Sequence, residues 1–245
     1  MYLNYKGEIM NIEQAYYDIL SFKNKEFKQL LAPAQLESFK ERASRDKGFS
    51  GKLVENLLGI NPSNNENDFV DGELKTFKAD IEGVPKETIC LTMITPDRMK
   101  DIIEGLPFKE SFLFHKMKVV LYVPILKVFN GKQLPFEQWS IGQPHLINLE
   151  NPVFQSIYDL FELDYNFIQK SYQHLIELNM TEFSGCSGNF LQVRPKDSPH
   201  IKVSPIMIND KLVSKGYCGF YMSMKFIKYV QNLYNIEMGY DDLEF

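Results

Sequence analysis

Short strand-like runs and amphipathic helical patterns alternate along this chain, and their order constrains the fold more than any other feature. Apolar residues at helical spacing over 9–31 predict one or two helices ending at Pro33, and 152–179 predicts the longest helix. Further helices are predicted at about 51–59, with Ser50 as N-cap, and at 224–233. Strands are predicted at 68–70, 72–77, 88–94, 119–123 with a candidate continuation at 127–129, 190–193 and 219–222. This order predicts a mixed α/β (α+β) fold, with a mixed sheet flanked by helices.

The length of 245 residues suits one large domain or two small ones. No apolar run approaches the ~20 residues of a membrane span, and the start of the chain lacks the apolar stretch of a signal peptide. The three cysteines, Cys90, Cys186 and Cys218, are too few and too scattered for a disulfide framework or a four-ligand zinc site. We therefore expect a soluble protein of a reducing, cytoplasmic compartment.

The charge distribution matters more than the formal net charge of −5. Basic residues exceed acidic ones between Lys40 and Lys52 and again from Arg194 to Lys228, whereas 150–182 and the C-terminal tail are acidic. An acidic protein with two basic stretches can present a basic cleft to a polyanion such as nucleic acid. The alternative, that these stretches are solvated surface, stays open on charge alone.

One short segment carries residues suited to phosphate chemistry. In a strand through Gly72–Thr76, Glu73 and Lys75 lie on one face because side chains alternate, and a hairpin can bring Asp68 beside Glu73. With Glu55, these carboxylates would suit Mg²⁺, and the lysine would orient or help deprotonate an attacking water. Spacing alone leaves open that Glu73 and Lys75 are an exposed cross-strand ion pair.

Five blocks of sequence place that segment in a wider context. The first block consists of Arg45–Gly59 together with Asp68–Thr76, and the other four are His115–Pro124, Ile141–Pro144, Asn189–Lys196 and Gly219–Tyr221. Together and in this order they closely resemble the core of the MutH family, which contains the methyl-directed mismatch-repair nicking endonuclease and related GATC-cutting restriction endonucleases. The resemblance covers most of residues 45–226. The first 40 residues and the acidic tail lie outside it.

The resemblance implies that Glu55, Asp68, Glu73 and Lys75 form a nuclease centre. Asp68 and Glu73 would be the principal metal ligands, joined by Glu55, and Mg²⁺ the cofactor. Lys116 falls in a His-Lys-x-Lys block, where the family has a further active-site lysine.

This chain departs from the family in one respect, because its best-known members separate the aspartate and the glutamate by more residues than lie between Asp68 and Glu73. A tighter hairpin preserves the face of Glu73 as long as strand parity is kept, and Asp71 is an alternative ligand to Asp68.

A second set of residues is expected to contact DNA. Arg194, Lys196 and Tyr221 match family positions implicated in DNA contact and in sensing the recognition site. We interpret Lys47 and Lys52 as contacts to backbone phosphates, which position DNA without reading its sequence; solvated surface is the alternative. His115, beside a predicted strand, either contacts DNA or forms a structural hydrogen bond.

The resemblance implies a PD-(D/E)xK restriction-endonuclease-like fold. We expect a single endonuclease domain, 1–245, with a catalytic lobe at 1–135 and a DNA-recognition lobe at 136–245 around a cleft for duplex DNA. Hydrolysis would leave 5′-phosphate ends.

Between biological roles, we favour a Mg²⁺-dependent type II restriction endonuclease cutting double-stranded DNA at or near GATC, because lysine far outnumbers arginine, as in an AT-rich genome. A mismatch-repair enzyme that nicks hemimethylated GATC is the first alternative. A catalytically inactive DNA-binding module is the second, against which the intact Glu73-x-Lys75 pair argues. A cognate methyltransferase system or transient self-association on DNA would accompany the restriction role.

Overall fold

The computed structural model describes residues 10–46, 48–60, 67–178, 185–195, 206–208, 211–214 and 218–236. Over these residues the fold is mixed α/β, with mixed sheets flanked by helices, which confirms the predicted fold class. The helices are α1 Ile12–Phe22, α2 Phe27–Leu30, α3 Pro33–Arg45, α4 Phe49–Leu57, α5 Pro96–Glu104, α6 Phe112–Met117, α7 Gln155–Glu177 and α8 Met224–Ile236. The strands are β1 Glu73–Asp80, β2 Ile89–Ile94, β3 Val119–Phe129, β4 Lys132–Gln133, β5 Ser140–Ile141, β6 His145–Asn148, β7 Cys186–Ser187, β8 Leu191–Pro195, β9 Ile206–Ile208, β10 Lys211–Ser214 and β11 Cys218–Met222. In this described part, no helix has the length and apolar character to cross a membrane.

Contacts divide the chain into two compact units, and both are discontinuous in sequence. The first unit comprises Met1–Glu87, Val119–Asn148 and Ile227–Phe245, and the second comprises Thr88–Lys118 and Leu149–Phe226. The predicted lobes follow chain order with a boundary near 135, whereas the contacts group 88–118 with 149–226.

The sheet of the first unit is built around β3. This strand pairs in parallel with β1, Glu73 opposite Val120, and antiparallel with β6, β5 and β4. Pro124 lies in the middle of β3, and its carbonyl accepts the N–H of Gly142 in the gap between β5 and β6. Because the N and C=O of one strand residue point to the same side, the missing N–H of Pro124 falls in that gap and the β1 ladder is undisturbed. The strand therefore runs unbroken to Phe129, as the candidate continuation predicts.

Aromatic side chains fill the core of the first unit beneath this sheet. Phe136 lies at the centre of the group, with ring centroids 5.2 Å from Trp139, 5.6 Å from Phe27 and 5.8 Å from Phe49. These rings connect α2, α4 and the segment before β5, and Leu74 of β1 joins the same buried cluster. Rigid aromatic packing of this kind holds α4 against the sheet.

The second unit contains an antiparallel sheet in the order β2-β11-β8-β7 and a separate β9-β10 pair. Its buried face packs on α7, where Tyr165 lies 6.3 Å from Phe220 between ring centroids. Alternation along β8 and β11 places Gln192, Arg194 and Tyr221 on the opposite, partly exposed face.

Several sequence-based assignments were wrong. Residues 68–70 form a bend rather than a strand, since the Phe69 N–H donates to the Gly72 carbonyl at 3.0 Å. The helices predicted over 9–31 are present as α1 and α2 and end before Pro33, but Pro33 also begins α3, which was not predicted, because a residue without an N–H suits the first helical turn. Ser50 lies inside α4, whose N-cap is Gly48. Gly59 does follow α4 with a φ of 69°, a conformation that glycine adopts without strain.

Candidate functional site

A tight turn brings Asp68 to the start of β1. The Leu74 N–H donates to Asp68 Oδ2 at 2.9 Å, so the carboxylate folds back beside Glu73 without the predicted hairpin. The turn depends on Gly72, because a Cβ built there would lie 2.5 Å from Ile12 Cδ1 and 2.8 Å from the Val119 carbonyl oxygen. Only glycine permits this close approach of the chain to α1 and β3.

Glu73 and Lys75 form an ion pair on one face of β1, between Glu73 Oε1 and Lys75 Nζ. The pair is not the exposed surface pair that spacing alone left open, since the Glu73 side chain is only 6% exposed and that of Lys75 18%. Burial of the two charges carries a desolvation cost, which the attraction between them partly offsets. The negative charge of Glu73 also contributes, after burial, to raising the pKa of Tyr122 on β3.

The third carboxylate, Glu55, comes from α4, which packs on β1. Burial, first, and the charge of Asp68, second, raise the pKa of Glu55 above its ordinary value; Glu73 adds to this rise, and Lys52 and Lys75 partly oppose it. Glu55, Asp68, Glu73 and Lys75 therefore act electrostatically on one another within one unit. The structure brings together all four residues predicted for the centre.

Asp71, the alternative to Asp68, faces a different partner. Its Oδ1 accepts the N–H of Ile12 at 3.0 Å, at the first residue of α1. A carboxylate here satisfies a helix N–H that has no partner within the helix and interacts favourably with the helix dipole. Of the two aspartates, Asp68 is the one whose charge acts on Glu55.

The donor set determines which metal ion this cluster fits. Within the described residues, no three His, Cys, Asp or Glu side chains are arranged as a complete metal-binding group. Mg²⁺, however, is commonly held by only one or two carboxylates, with water and substrate phosphate completing its shell. Asp68 and Glu73 supply such a pair. Burial is the first cause of the raised pKa of Glu55, and the charge of Asp68 is the second; a divalent cation would relieve this second contribution. The residues fit a Mg²⁺ ion that shares its shell with a phosphate.

A second cluster lies on the partly exposed face of the sheet in the second unit. The guanidinium carbon of Arg194 lies 5.6 Å from the Tyr221 ring centroid, and Arg194 Nη1 donates to Thr88 Oγ1 at 3.2 Å. Burial, first, and the Cys90 thiol, to which Tyr221 is hydrogen-bonded, raise the Tyr221 pKa. Among the described residues on this face, Gln192 Oε1 is a buried acceptor with no hydrogen-bond partner. The cluster therefore consists of the Arg194 guanidinium, the Tyr221 phenol and the Gln192 side-chain amide, with the guanidinium held by its hydrogen bond to Thr88.

The other predicted contacts have mixed outcomes. Lys52 is exposed and pairs with Asp46 Oδ2 at 2.8 Å, and this hydrogen bond, first, lowers the pKa of Asp46. His115 and Lys116 lie at the end of α6 in the second unit, His115 exposed and Lys116 half-buried. Lys47 and Lys196 lie outside the described residues.

Sequence reasoning missed the residues that hold these side chains in place. Thr88 is 106 positions from Arg194 in sequence, and no local pattern connects them. The backbone N–H of Leu74, which fixes Asp68, carries no sequence signal at all. Cys90 could have been noticed as a thiol in a predicted strand, but only the pairing of β2 with β11 brings it opposite Tyr221.

Comparison with known proteins connects this geometry to a family. A family model described as "DNA mismatch repair enzyme MutH" matches residues 58–157, which include Asp68, Glu73, Lys75 and Lys116. The protein named DNA mismatch repair protein MutH from Shewanella oneidensis is 30% identical over 198 residues, 77% of this chain and 80% of the relative. Proteins of the same name from Shewanella sp. strain MR-4 and Shewanella baltica strain OS185 are 29% and 28% identical over the same shares.

Proposed function

This chain belongs to the MutH family of DNA endonucleases, and from that premise we propose that it is a metal-dependent enzyme that hydrolyses one phosphodiester bond at GATC in double-stranded DNA. The observation that carries the proposal is the convergence of Glu55, Asp68, Glu73 and Lys75 at the start of β1. A carboxylate pair next to a partly buried lysine can hold a metal ion at the scissile phosphate and stabilise the charge that develops there.

Each residue has a distinct part in the proposed reaction. Asp68 and Glu73 would hold Mg²⁺, which when bound polarises the scissile phosphate as a Lewis acid. Lys75 Nζ, oriented by Glu73, donates a hydrogen bond to the attacking water or to the phosphate oxygen that gains charge. Glu55, whose pKa is raised first by burial and then by the charge of Asp68, would join them as the third carboxylate around the metal.

The second cluster suits the recognition of DNA. Arginine and lysine donate to the O6 and N7 atoms of guanine in the major groove, and glutamine pairs with adenine. Arg194, Gln192 and Tyr221 share one face, and Lys196 follows Arg194 by two residues. We assign base contacts to Arg194 and Lys196, and the sensing of the recognition site to Tyr221. Lys52 and Lys47 would contact phosphates, and Lys116 would act as a further active-site lysine.

The names of the relatives favour one biological role over the other. The Shewanella proteins are named for DNA mismatch repair, so we propose nicking of the unmodified strand at hemimethylated GATC as the primary function, in place of the restriction activity that composition favours. Restriction at GATC is the second candidate, and the specific observation for it is the excess of lysine over arginine, typical of AT-rich genomes.

Cleavage of supercoiled plasmids with Mg²⁺ tests the proposal and separates the two roles. Plasmids carrying GATC would be offered unmodified, hemimethylated and fully methylated, with a plasmid lacking GATC as the control. Nicked circles from the hemimethylated plasmid support the repair role. Linear product from unmodified plasmid, with 5′-phosphate ends that ligate, supports restriction. Equal cutting of the GATC-free plasmid would contradict recognition of GATC.

A further inference from the structure

A buried carboxylate on α7 holds the turn that leads into β8. Asp164 is only 2% exposed, and the backbone N–H groups of three consecutive residues donate to it: Asn189 to Oδ1 at 2.8 Å, and Phe190 and Leu191 to Oδ2 at 2.6 and 2.9 Å. The Asn189 side-chain amide adds a longer contact of 3.5 Å. Buried carboxylates are costly, so a carboxylate that uses both oxygens on one turn is a strong geometric restraint on that turn.

Gly188 makes room for this contact. A Cβ built at Gly188 would lie 2.4 Å from Asp164 Cγ, closer than any real contact, so the turn can reach the carboxylate only with glycine at that position. The Gly188 N–H also donates to the Leu191 carbonyl at 2.8 Å, which closes the turn on itself. The turn therefore depends on Asp164 as its hydrogen-bond acceptor and on the absence of a side chain at Gly188. We call these two residues the β8 clamp.

Ser223 holds the same turn from the end of β11. Its N–H donates to the Phe190 carbonyl at 2.7 Å, and its Oγ donates to the Asn189 carbonyl at 3.1 Å. The turn is therefore held by α7, through Asp164, and by the residue after β11, the strand with which β8 pairs. Three residues after Leu191, β8 carries Arg194, and Lys196 follows the end of the strand in sequence.

We propose that Asp164 is a positioning residue for DNA sequence recognition, acting through β8 on Arg194. The inference rests on the proposed function, because it takes Arg194 and Lys196 as base contacts. Because strand β8 is short, the position of the turn at its start determines where its side chains lie. Loss of the carboxylate leaves three backbone donors without their acceptor and shifts β8 along or away from β11.

The test compares Asp164→Asn with Asp159→Asn, the same isosteric change on an exposed residue of α7. Asparagine has one amide oxygen and one NH₂ group, and the NH₂ group cannot accept a hydrogen bond. In Asp164→Asn the NH₂ group therefore faces at least one backbone N–H in either orientation of the amide. Cleavage would be measured on a duplex with one hemimethylated GATC, the proposed substrate, and on the same duplex with GTAC in its place. For Asp164→Asn we expect kcat/KM on GATC to fall by about tenfold or more, mainly through KM, and the preference for GATC over GTAC to fall with it. Asp159→Asn should stay near the wild-type values.

The outcomes separate this inference from the proposed function. Wild-type protein that cuts neither duplex contradicts the proposed function. Wild-type protein that prefers GATC, with Asp164→Asn preferring it equally, overturns the positioning role alone. An equal proportional loss on both duplexes also overturns it, since a merely structural defect lowers the active fraction for every substrate.

Ser223→Ala provides a milder second variant if Asp164→Asn fails to fold by circular dichroism. It removes only the Oγ contact to the turn, with Ser21→Ala, whose exposed Oγ donates to the Asp18 carbonyl within α1, as its control. A reduced preference for GATC in Ser223→Ala supports positioning through the turn. An unchanged preference overturns it.

Discussion

Leu74 donates its backbone N–H to the Asp68 carboxylate at 2.9 Å, and this contact places Asp68 at the head of the strand that carries Glu73 and Lys75. Three residues later in sequence, the Asp71 carboxylate accepts the N–H of Ile12 instead. Two aspartates of one turn therefore have different tasks, one in the candidate centre and one at the start of α1.

Replacement of each aspartate by alanine tests this division. We expect Asp68→Ala to lower the cleavage rate by about a hundredfold or more, because a proposed metal ligand is lost. Asp71→Ala should cut at near the wild-type rate but lose about 1 kcal/mol of unfolding free energy, as loss of a helix N-terminal acceptor does. Urea unfolding and initial cleavage rates measure both. The reverse pattern would assign the metal to Asp71.

Metal dependence follows from the clustered carboxylates. Excess EDTA should abolish cleavage, Mn²⁺ should restore it, and Ca²⁺ should support DNA binding without efficient cutting. Carboxylates repel one another and the DNA phosphates, so a divalent cation should raise affinity as well as rate. Binding by fluorescence anisotropy and cleavage on gels, each with the metal exchanged, provide the measurement. Cutting that persists undiminished in EDTA would exclude this mechanism.

Base contacts and phosphate contacts should separate by salt dependence. We expect Lys196→Ala to lower cleavage at GATC by about one to two powers of ten, with much less effect on non-specific binding, because a bidentate contact to guanine is worth roughly 1–3 kcal/mol. Lys52→Ala is the matched comparison and should weaken binding to all sequences alike, with the salt slope lower by about one unit.

Affinities for a GATC duplex and a scrambled duplex across salt concentrations test both expectations. If Lys196→Ala weakens the two duplexes in equal proportion, its base-reading role is wrong.

His145 gives the first unit a pH-dependent stability. Its ring lies against Tyr234, 4.9 Å between centroids, and neither ring nitrogen has a hydrogen-bond partner among the described residues. Burial, first, and the charge of Lys23 lower its pKa from 6.5 to about 4. The folded state thus prefers neutral histidine, so this stability is complete above pH 6.5 and is lost as the pH falls from 6.5 towards 4.

His145→Leu should remove this acid sensitivity. Between pH 7.5 and pH 5 the wild-type protein should lose up to ~2 kcal/mol more unfolding free energy than the variant. His115→Leu, a change at an exposed histidine, is the control and should follow the wild type. Urea unfolding at the two pH values measures the difference. Parallel loss in His145→Leu and wild type would show that His145 is not the group responsible.

Sequence alone predicted the elements whose pattern is local. The apolar run that became β3 and the 3.6-residue period that became α7 are signals of a single segment, and both were placed within a few residues. Helix α3 was missed because Pro33 was interpreted only as the end of the preceding helical run, although proline suits the first turn of a helix. Helix α5, which begins at Pro96, was not predicted. Ser50 was also misassigned, because its hydroxyl accepts a hydrogen bond from Lys127 on β3 and does not cap α4.

In the candidate site, too, the sequence predicted the relationships between neighbouring residues and not those between distant ones. Strand parity placed Glu73 and Lys75 on one face, and the ion pair between them bears out that placement. The choice between Asp68 and Asp71 was beyond the sequence, because it depends on the approach of α1 to Gly72, across about 60 residues of chain. The partners of Arg194 and the β8 clamp were hidden for the same reason.

Lys75→Ala tests whether the Glu73–Lys75 pair acts on the scissile phosphate, as the proposed chemistry demands. Affinity for DNA comes mostly from many backbone contacts elsewhere, so this variant, and Glu73→Ala with it, should keep most of its binding and lose cleavage. The measurement is the Mg²⁺-dependent cleavage rate of a single-GATC duplex beside the Kd for the same duplex in Ca²⁺. We predict a loss of cleavage to background with Kd changed by less than about tenfold. Normal turnover by Lys75→Ala in Mg²⁺ would contradict the assignment of this cluster as the nuclease centre.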